Sequence, residues 1–162
     1  MKNSGKEELA LNEVRLLYQK YDADANQIDN KAANLLSSSS LILTLFGVLQ
    51  IPLLNLSQPL GYKILVAITL IAFFGVIVST ILTLKPQGYK TPFKEDWTGV
   101  ENAILKKEDE KDAYMQLIGN YLDRIKNNSE INKSRARTLT VTSYLFIMMM
   151  ITIVLSSFIA AR

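Results

Sequence analysis

The chain has 162 residues, 49% of them hydrophobic and 20% charged, with a formal net charge of +3. It contains no cysteine and no histidine, which excludes disulfides, thiolate metal sites, cysteine nucleophiles and the usual general base. The length suits one domain rather than two with separate cores, and the charges lie almost wholly outside three apolar blocks.

Residues 1–36 are charged and helical in pattern. Leu11, Val14, Tyr18, Tyr21, Ala25, Ile28, Ala32 and Leu35 follow one another at steps of three and four. That is the spacing of a helix packed against other helices, within one subunit or between subunits. Neither Pro nor Gly interrupts the stripe after Gly5, so one helix is expected from about Lys6 into the first apolar block. A tilt of its polar half would then move its apolar half. The charged start does not read as a cleavable signal, because the first apolar block begins only near Leu35.

The apolar blocks run from Leu35 to Leu56, from Tyr62 to Leu84 and from Leu139 to Ala161. Each supplies the roughly 20 residues that a helix needs to cross the hydrocarbon core. The first is the least regular, with four serines near its start and Pro52 near its end, and a re-entrant segment or buried core helix is its alternative reading. The connection "NLSQPLGYK" carries turn-forming Asn, Ser, Pro and Gly, so blocks one and two read as a transmembrane hairpin over residues 37–84. Five Lys or Arg precede block one and eleven lie between blocks two and three, against Lys63 in the hairpin turn and Arg162 at the end. The positive-inside rule therefore puts the N-terminus and the 85–137 loop in the cytoplasm and the C-terminus on the far side.

Within 85–137, Pro86, Gly88 and Pro92 break the chain, and a helical region is expected from about Trp97 to Arg137. Val100, Ile104, Lys107, Lys111, Tyr114, Ile118, Tyr121, Ile125, Asn128 and Asn132 fall near one face. The run "KKEDEKD" reads as a solvated face of alternating sign. Gly119 and the Asn127–Asn128 pair predict a local weakness near Asn128. Residues 138–162 form the third span.

No catalytic constellation stands out. Asp22, Asp24 and Asp29 lie on the heptad-patterned helix without a basic partner suited to acid–base work, and Glu108, Asp109, Glu110 and Asp112 belong to the mixed-charge run. A carboxylate-only site would hold magnesium only beside a phosphate ligand, and no phosphate-binding glycine loop is present. The chain is therefore expected to be no enzyme, with no cofactor and no metal site.

What remains is the bilayer. In block one Ser37, Ser40, Thr44 and Gly47 make a small, polar face that reads equally as pore lining or as helix packing. In block two Ala72, Gly75 and Ser79 read as close packing. A lone subunit with three spans cannot enclose a pore, so conduction requires a closed ring of subunits. Of the basic residues before block three, Arg135 and Arg137 read as membrane anchors. Tyr121, Arg124, Lys126 and Lys133 are the candidate nucleotide-binding residues, since basic groups beside an aromatic face pair with phosphate and stack a base.

Two segments carry a family resemblance. "QIDNKAANLLSSSSLILTL" resembles the lead into the first span of SLATT-type effectors, an "xDxKAxxLL" stretch ahead of a transmembrane hairpin. "IGNYLDRIKNNSEINKSRARTLTVTSYLFI" resembles the later part of that family, and Pycsar-type transmembrane effectors share the organisation. The resemblance implies a bacterial antiphage role in the inner membrane, beside a nucleotidyltransferase-like or cyclase enzyme that makes a nucleotide or oligonucleotide signal. It also implies oligomers that permeabilise the membrane. With no appended recognition module in this sequence, a ligand would have to bind the short cytoplasmic helices, and it could open a pore or hold it shut.

The expectation is thus an all-α membrane protein: three transmembrane helices with long cytoplasmic helical extensions, assembled as a homo-oligomeric ring. It would act as a pore or ion channel that depolarises the membrane under nucleotide control. The alternative is a non-conducting scaffold that docks a cytoplasmic partner enzyme through its heptad face. The long charged loop argues against a holin-like timing protein.

Overall fold

The computed structural model describes residues 4–50, 59–85, 88–89 and 109–160. Pro52, Pro86, Pro92, Trp97, Val100, Ile104 and Lys107, on which several of the expectations above rest, lie outside them. Among the described residues the chain is helical with no strand, in three helices: α1 (Ser4–Gln50), α2 (Leu60–Leu84) and α3 (Glu110–Ala160). All three are long and apolar enough to cross a membrane.

α1 is continuous, as the unbroken stripe predicts. α2 starts behind Pro59, whose fixed φ suits a helix start and whose carbonyl accepts from the Tyr62 amide. α3 starts at Asp109, whose carboxylate accepts from the Lys111 amide, with Glu110 and Asp112 in the positive first turn. The expected weakness at Asn128 does not appear. α3 passes through it, because Asn128 and Asn132 are both buried and the packing outweighs a propensity cost of a few tenths of a kcal/mol.

The chain resolves into two compact units, residues 1–27 with 86–134 and residues 28–85 with 135–162. The length had suggested one core. Two arise because α1 and α3 each run on from one unit into the other.

In the first unit Leu11 and Leu117 are buried against each other, with Tyr114, Ile118 and Tyr121 around them. The Tyr18 and Tyr121 rings meet edge to face at 5.6 Å. Contacts that advance along both helices together, from Leu11 with Leu117 to Tyr18 with Tyr121, make α1 and α3 parallel here. Asn132 donates to the Tyr21 carbonyl at 2.8 Å and accepts from the Tyr89 hydroxyl. A buried amide of this kind fixes which turns of two helices face each other.

The second unit inverts the polarity of a water-soluble bundle. Ser39, Thr69, Thr80, Thr83, Thr142 and Ser156 are fully buried, while Leu41, Leu45, Ile71, Phe74, Ile81, Ile147, Ile151 and Phe158 are exposed. An apolar outer surface of that extent fits lipid, not water. The hydroxyls of Thr69 and Thr152 meet at 2.8 Å, and those of Ser79 and Thr142 at 2.9 Å. The two contacts advance along α2 and recede along α3, so these helices are antiparallel. Ala72, Gly75 and Ser79 form the packing stripe that the sequence suggests: Ala72 and Ser79 are buried, and a Cβ at Gly75 would stand 3.0 Å from Leu145 Cδ1. Phe46, Tyr62 and Val66 close the core with Leu43 and Ile153.

Arg135 departs from its expected role. It is only 4% exposed: its Nε donates to the Thr83 carbonyl at 2.8 Å and its Nη2 pairs with the Asp29 carboxylate. The anchor reading gives way to a guanidinium that ties α1, α2 and α3 at one level. Asp29, which lacked a partner by sequence, has one in space.

Arg135→Met is expected to lower unfolding stability in mixed micelles by about 2 kcal/mol, since it strands a carbonyl and a carboxylate. Asp29→Asn, which leaves the buried guanidinium without its counter-ion, should also destabilise, though by less than a fully buried pair would because that carboxylate is 42% exposed. In the same assay Gly75→Ala should be accommodated by a shift of the flexible Leu145 side chain. Gly75→Leu should separate α2 from α3 and cost about 1–3 kcal/mol.

Candidate functional site

The hydroxyl face of α1 lies in the second unit. The four serines point three ways, as a helical step of about 100° requires. Ser39 is buried, Ser40 half-buried, and Ser37 and Ser38 exposed. Ser39 and Ser40 donate back to the Leu35 and Leu36 carbonyls, and Thr44 donates to the Ser40 carbonyl at 2.8 Å. A hydroxyl tied back in this way can face lipid, a neighbouring helix or water without an unmet donor. Thr44 is exposed and Gly47 half-buried, and both line an open groove of about 510 Å³ with Leu43, Phe46, Val66 and Leu70. Within one chain the face Ser37–Ser40–Thr44–Gly47 is therefore polar at one end and bordered by an apolar groove at the other.

The candidate nucleotide residues lie in the first unit and do not converge. Tyr121 is half-buried on the packed face, its ring held by Tyr18. Arg124 is half-buried beside Asp123, at 3.8 Å, and its Nε is buried without a hydrogen-bond partner. Lys126 and Lys133 are exposed, one heptad apart on the same side of α3. A separate groove of about 290 Å³ between α1 and α3 is lined by Arg15 and Tyr114 but also by Glu8 and Glu110, whose charges oppose a phosphate. Among the described residues no cluster of three side chains suited to a metal occurs.

Sequence reasoning missed the Arg135–Asp29 pair and the hydroxyl contacts of Thr142 and Thr152. A signal for the first was present. Arg135 continues the three- and four-residue steps of Tyr121, Ile125, Asn128 and Asn132, all on the packed side of α3. Its charge led to the surface reading instead. The threonines carry no such signal, since nothing in an apolar run marks which hydroxyl meets another helix.

A family model for the Pycsar effector protein domain, PycTM, matches residues 14–162. The chain belongs to this family. As a PycTM chain it falls among the transmembrane effectors of antiphage defence, whose kind is regulated by cyclic nucleotide signals from a cyclase. Neither a curated protein nor a solved structure matches it significantly.

In this PycTM chain, burial, reinforced by the Asp22 carboxylate and by Tyr121, holds the Tyr18 phenol above its ordinary value. The raised value favours the neutral phenol. Its contribution to stability is fully present below the unfolded value of about 10 and is lost as pH rises through the folded one. In a tyrosinate absorbance titration, Asp22→Asn should move the late-titrating step to lower pH, and Tyr18→Phe should remove it.

Proposed function

We propose that the chain is an oligomeric effector of the bacterial inner membrane that opens an ion path through the bilayer during phage infection. Family membership and three spans support a membrane target. The observation that carries the pore reading is the face of α1 formed by Ser37, Ser40, Thr44 and Gly47. The hydroxyls of α2 and α3 at Thr69, Ser79, Thr142 and Thr152 are consumed inside the chain, whereas Ser37 and Thr44 stay exposed. Three spans cannot surround water, so the path forms where these faces meet in a ring of subunits.

Control comes from the cytoplasm, where positive-inside counting places the N-terminus and the 85–137 region. A cyclic nucleotide or oligonucleotide from a neighbouring cyclase or nucleotidyltransferase-like enzyme would pair a phosphate with Arg124, near Tyr121, while Lys126 and Lys133 on another side of α3 could meet only a second phosphate. Stacking on Tyr121 would require its ring to leave Tyr18, and that exchange would convert binding into a shift of α1 against α3. A second reading, a non-conducting scaffold for a partner enzyme, is favoured by one observation. Leu9 and Leu16 on α1, and Met115 and Leu122 on α3, are exposed at heptad spacing in the charged unit.

Membrane potential in bacteria tests the two. Expression of the chain with its neighbouring gene under phage challenge should depolarise cells. Ser40→Leu and Thr44→Leu should abolish depolarisation while cross-linked oligomers persist. Unchanged ion flux in those variants would remove the pore-lining role, and no depolarisation with the native chain at confirmed membrane expression favours the scaffold.

A further inference from the structure

In the second unit a groove of about 350 Å³ runs between α1 and α3. α1 contributes Lys31, Asn34 and Ser38 at steps of three and four, which is one face of a helix. α3 contributes Leu139, Ser143 and Phe146 at the same spacing. Asp29 pairs with Arg135 at one level, and Ser38 shares the groove with Ser143 further on, so both helices enter their apolar runs in the same direction. The groove therefore begins at a cation, passes hydroxyls and ends on an aromatic ring.

On α3 the Ser143 hydroxyl donates back to the Leu139 carbonyl at 3.0 Å, whereas the polar groups that α1 contributes are unspent. Ser39 and Ser40 bond back to helix carbonyls. Among the described residues, the Lys31 ammonium, the Asn34 amide and the Ser38 hydroxyl make no hydrogen bond or ion pair. A donor left unmet at the edge of hydrocarbon costs free energy that a ligand oxygen can recover. No carboxylate lines the groove, and Asp29, two residues before Lys31, is held by Arg135. Arg137, exposed two residues before Leu139, adds a further positive charge at the polar end.

We propose that this groove binds an anionic glycerophospholipid of the surrounding bilayer. Its phosphate meets Lys31 and Asn34, its ester region accepts from the Ser38 hydroxyl, and an acyl chain lies past Ser143 on Leu139 and Phe146. An anionic headgroup is preferred because a zwitterionic one brings its own ammonium against Lys31. The apolar floor selects a lipid over a free phosphate. At about 100° per residue, Ser37, Ser40 and Thr44 centre about a third of a turn around α1 from Lys31, Asn34 and Ser38. The two faces are thus distinct along most of their length and adjoin where Asn34 stands one turn before Ser37, and the site goes beyond the pore reading.

The test uses the full chain in phosphatidylcholine vesicles, with trace spin-labelled phosphatidylglycerol or phosphatidylcholine, and electron paramagnetic resonance to read the immobilised fraction. The native chain should hold phosphatidylglycerol about fivefold more strongly. Lys31→Gln should remove the preference, Lys31→Arg should keep it, and Ser143→Trp, which fills the groove, should release the lipid without changing any charge. Equal immobilisation of the two lipids by the native chain overturns the proposal. So does a preference that survives Lys31→Gln but vanishes with Arg137→Gln, the mark of diffuse surface charge. Displacement by millimolar glycerol 3-phosphate would overturn the assignment to a lipid. None of these readings depends on ion conduction, so failure of the pore hypothesis would leave them intact.

Discussion

A guanidinium buried beside apolar spans is expensive unless its donors are all met, and that requirement organises the second unit. Arg135 reaches a backbone carbonyl of α2 at Thr83 and a carboxylate of α1 at Asp29. Neither partner suffices alone, because the charge needs a counter-ion and the remaining donors need oxygens. The arrangement allows little slippage: moving α3 by one turn would withdraw the group from both. From this level the Ser79–Thr142 and Thr69–Thr152 contacts follow in register along α2 and α3.

The hydroxyl contacts are weak individually and matter for what they permit. Small side chains let helices approach closely, as at Gly75 against Leu145. In hydrocarbon no hydrophobic force draws helices together, so close approach and matched polar groups take over that task. The first unit obeys the opposite rule. Leu11, Leu117 and the Tyr18–Tyr121 pair are held by burial from water. Asn132 and Arg135, one turn apart on α3, are the buried polar groups with which each unit selects its register.

For function, this division has a consequence. α2 and α3 pair two hydroxyls each across their contact, while α1 divides its serines among the interior, one outward face and the groove toward α3. The helix with the least regular apolar block thus turns hydroxyls outward, where water, a neighbouring subunit or lipid can meet them. α1 continues unbroken from Ser4 to Gln50, so its charged and apolar halves are one helix.

The number and position of the helices were legible because a span needs length and apolarity, which are properties of a linear run. The α1 stripe was legible because 3.6-residue periodicity is local: Leu11, Ala25 and Ala32 are all buried as the spacing implies. The small-residue stripe of α2 was legible for the same reason. Only the tertiary structure decided that Asp29 and Arg135 are partners, that Tyr121 packs on Tyr18, and that one serine of four turns inward. Charge in a sequence suggests surface, whereas a buried ion pair is a relation between residues about a hundred positions apart. No local pattern encodes that relation; it exists only once three helices meet.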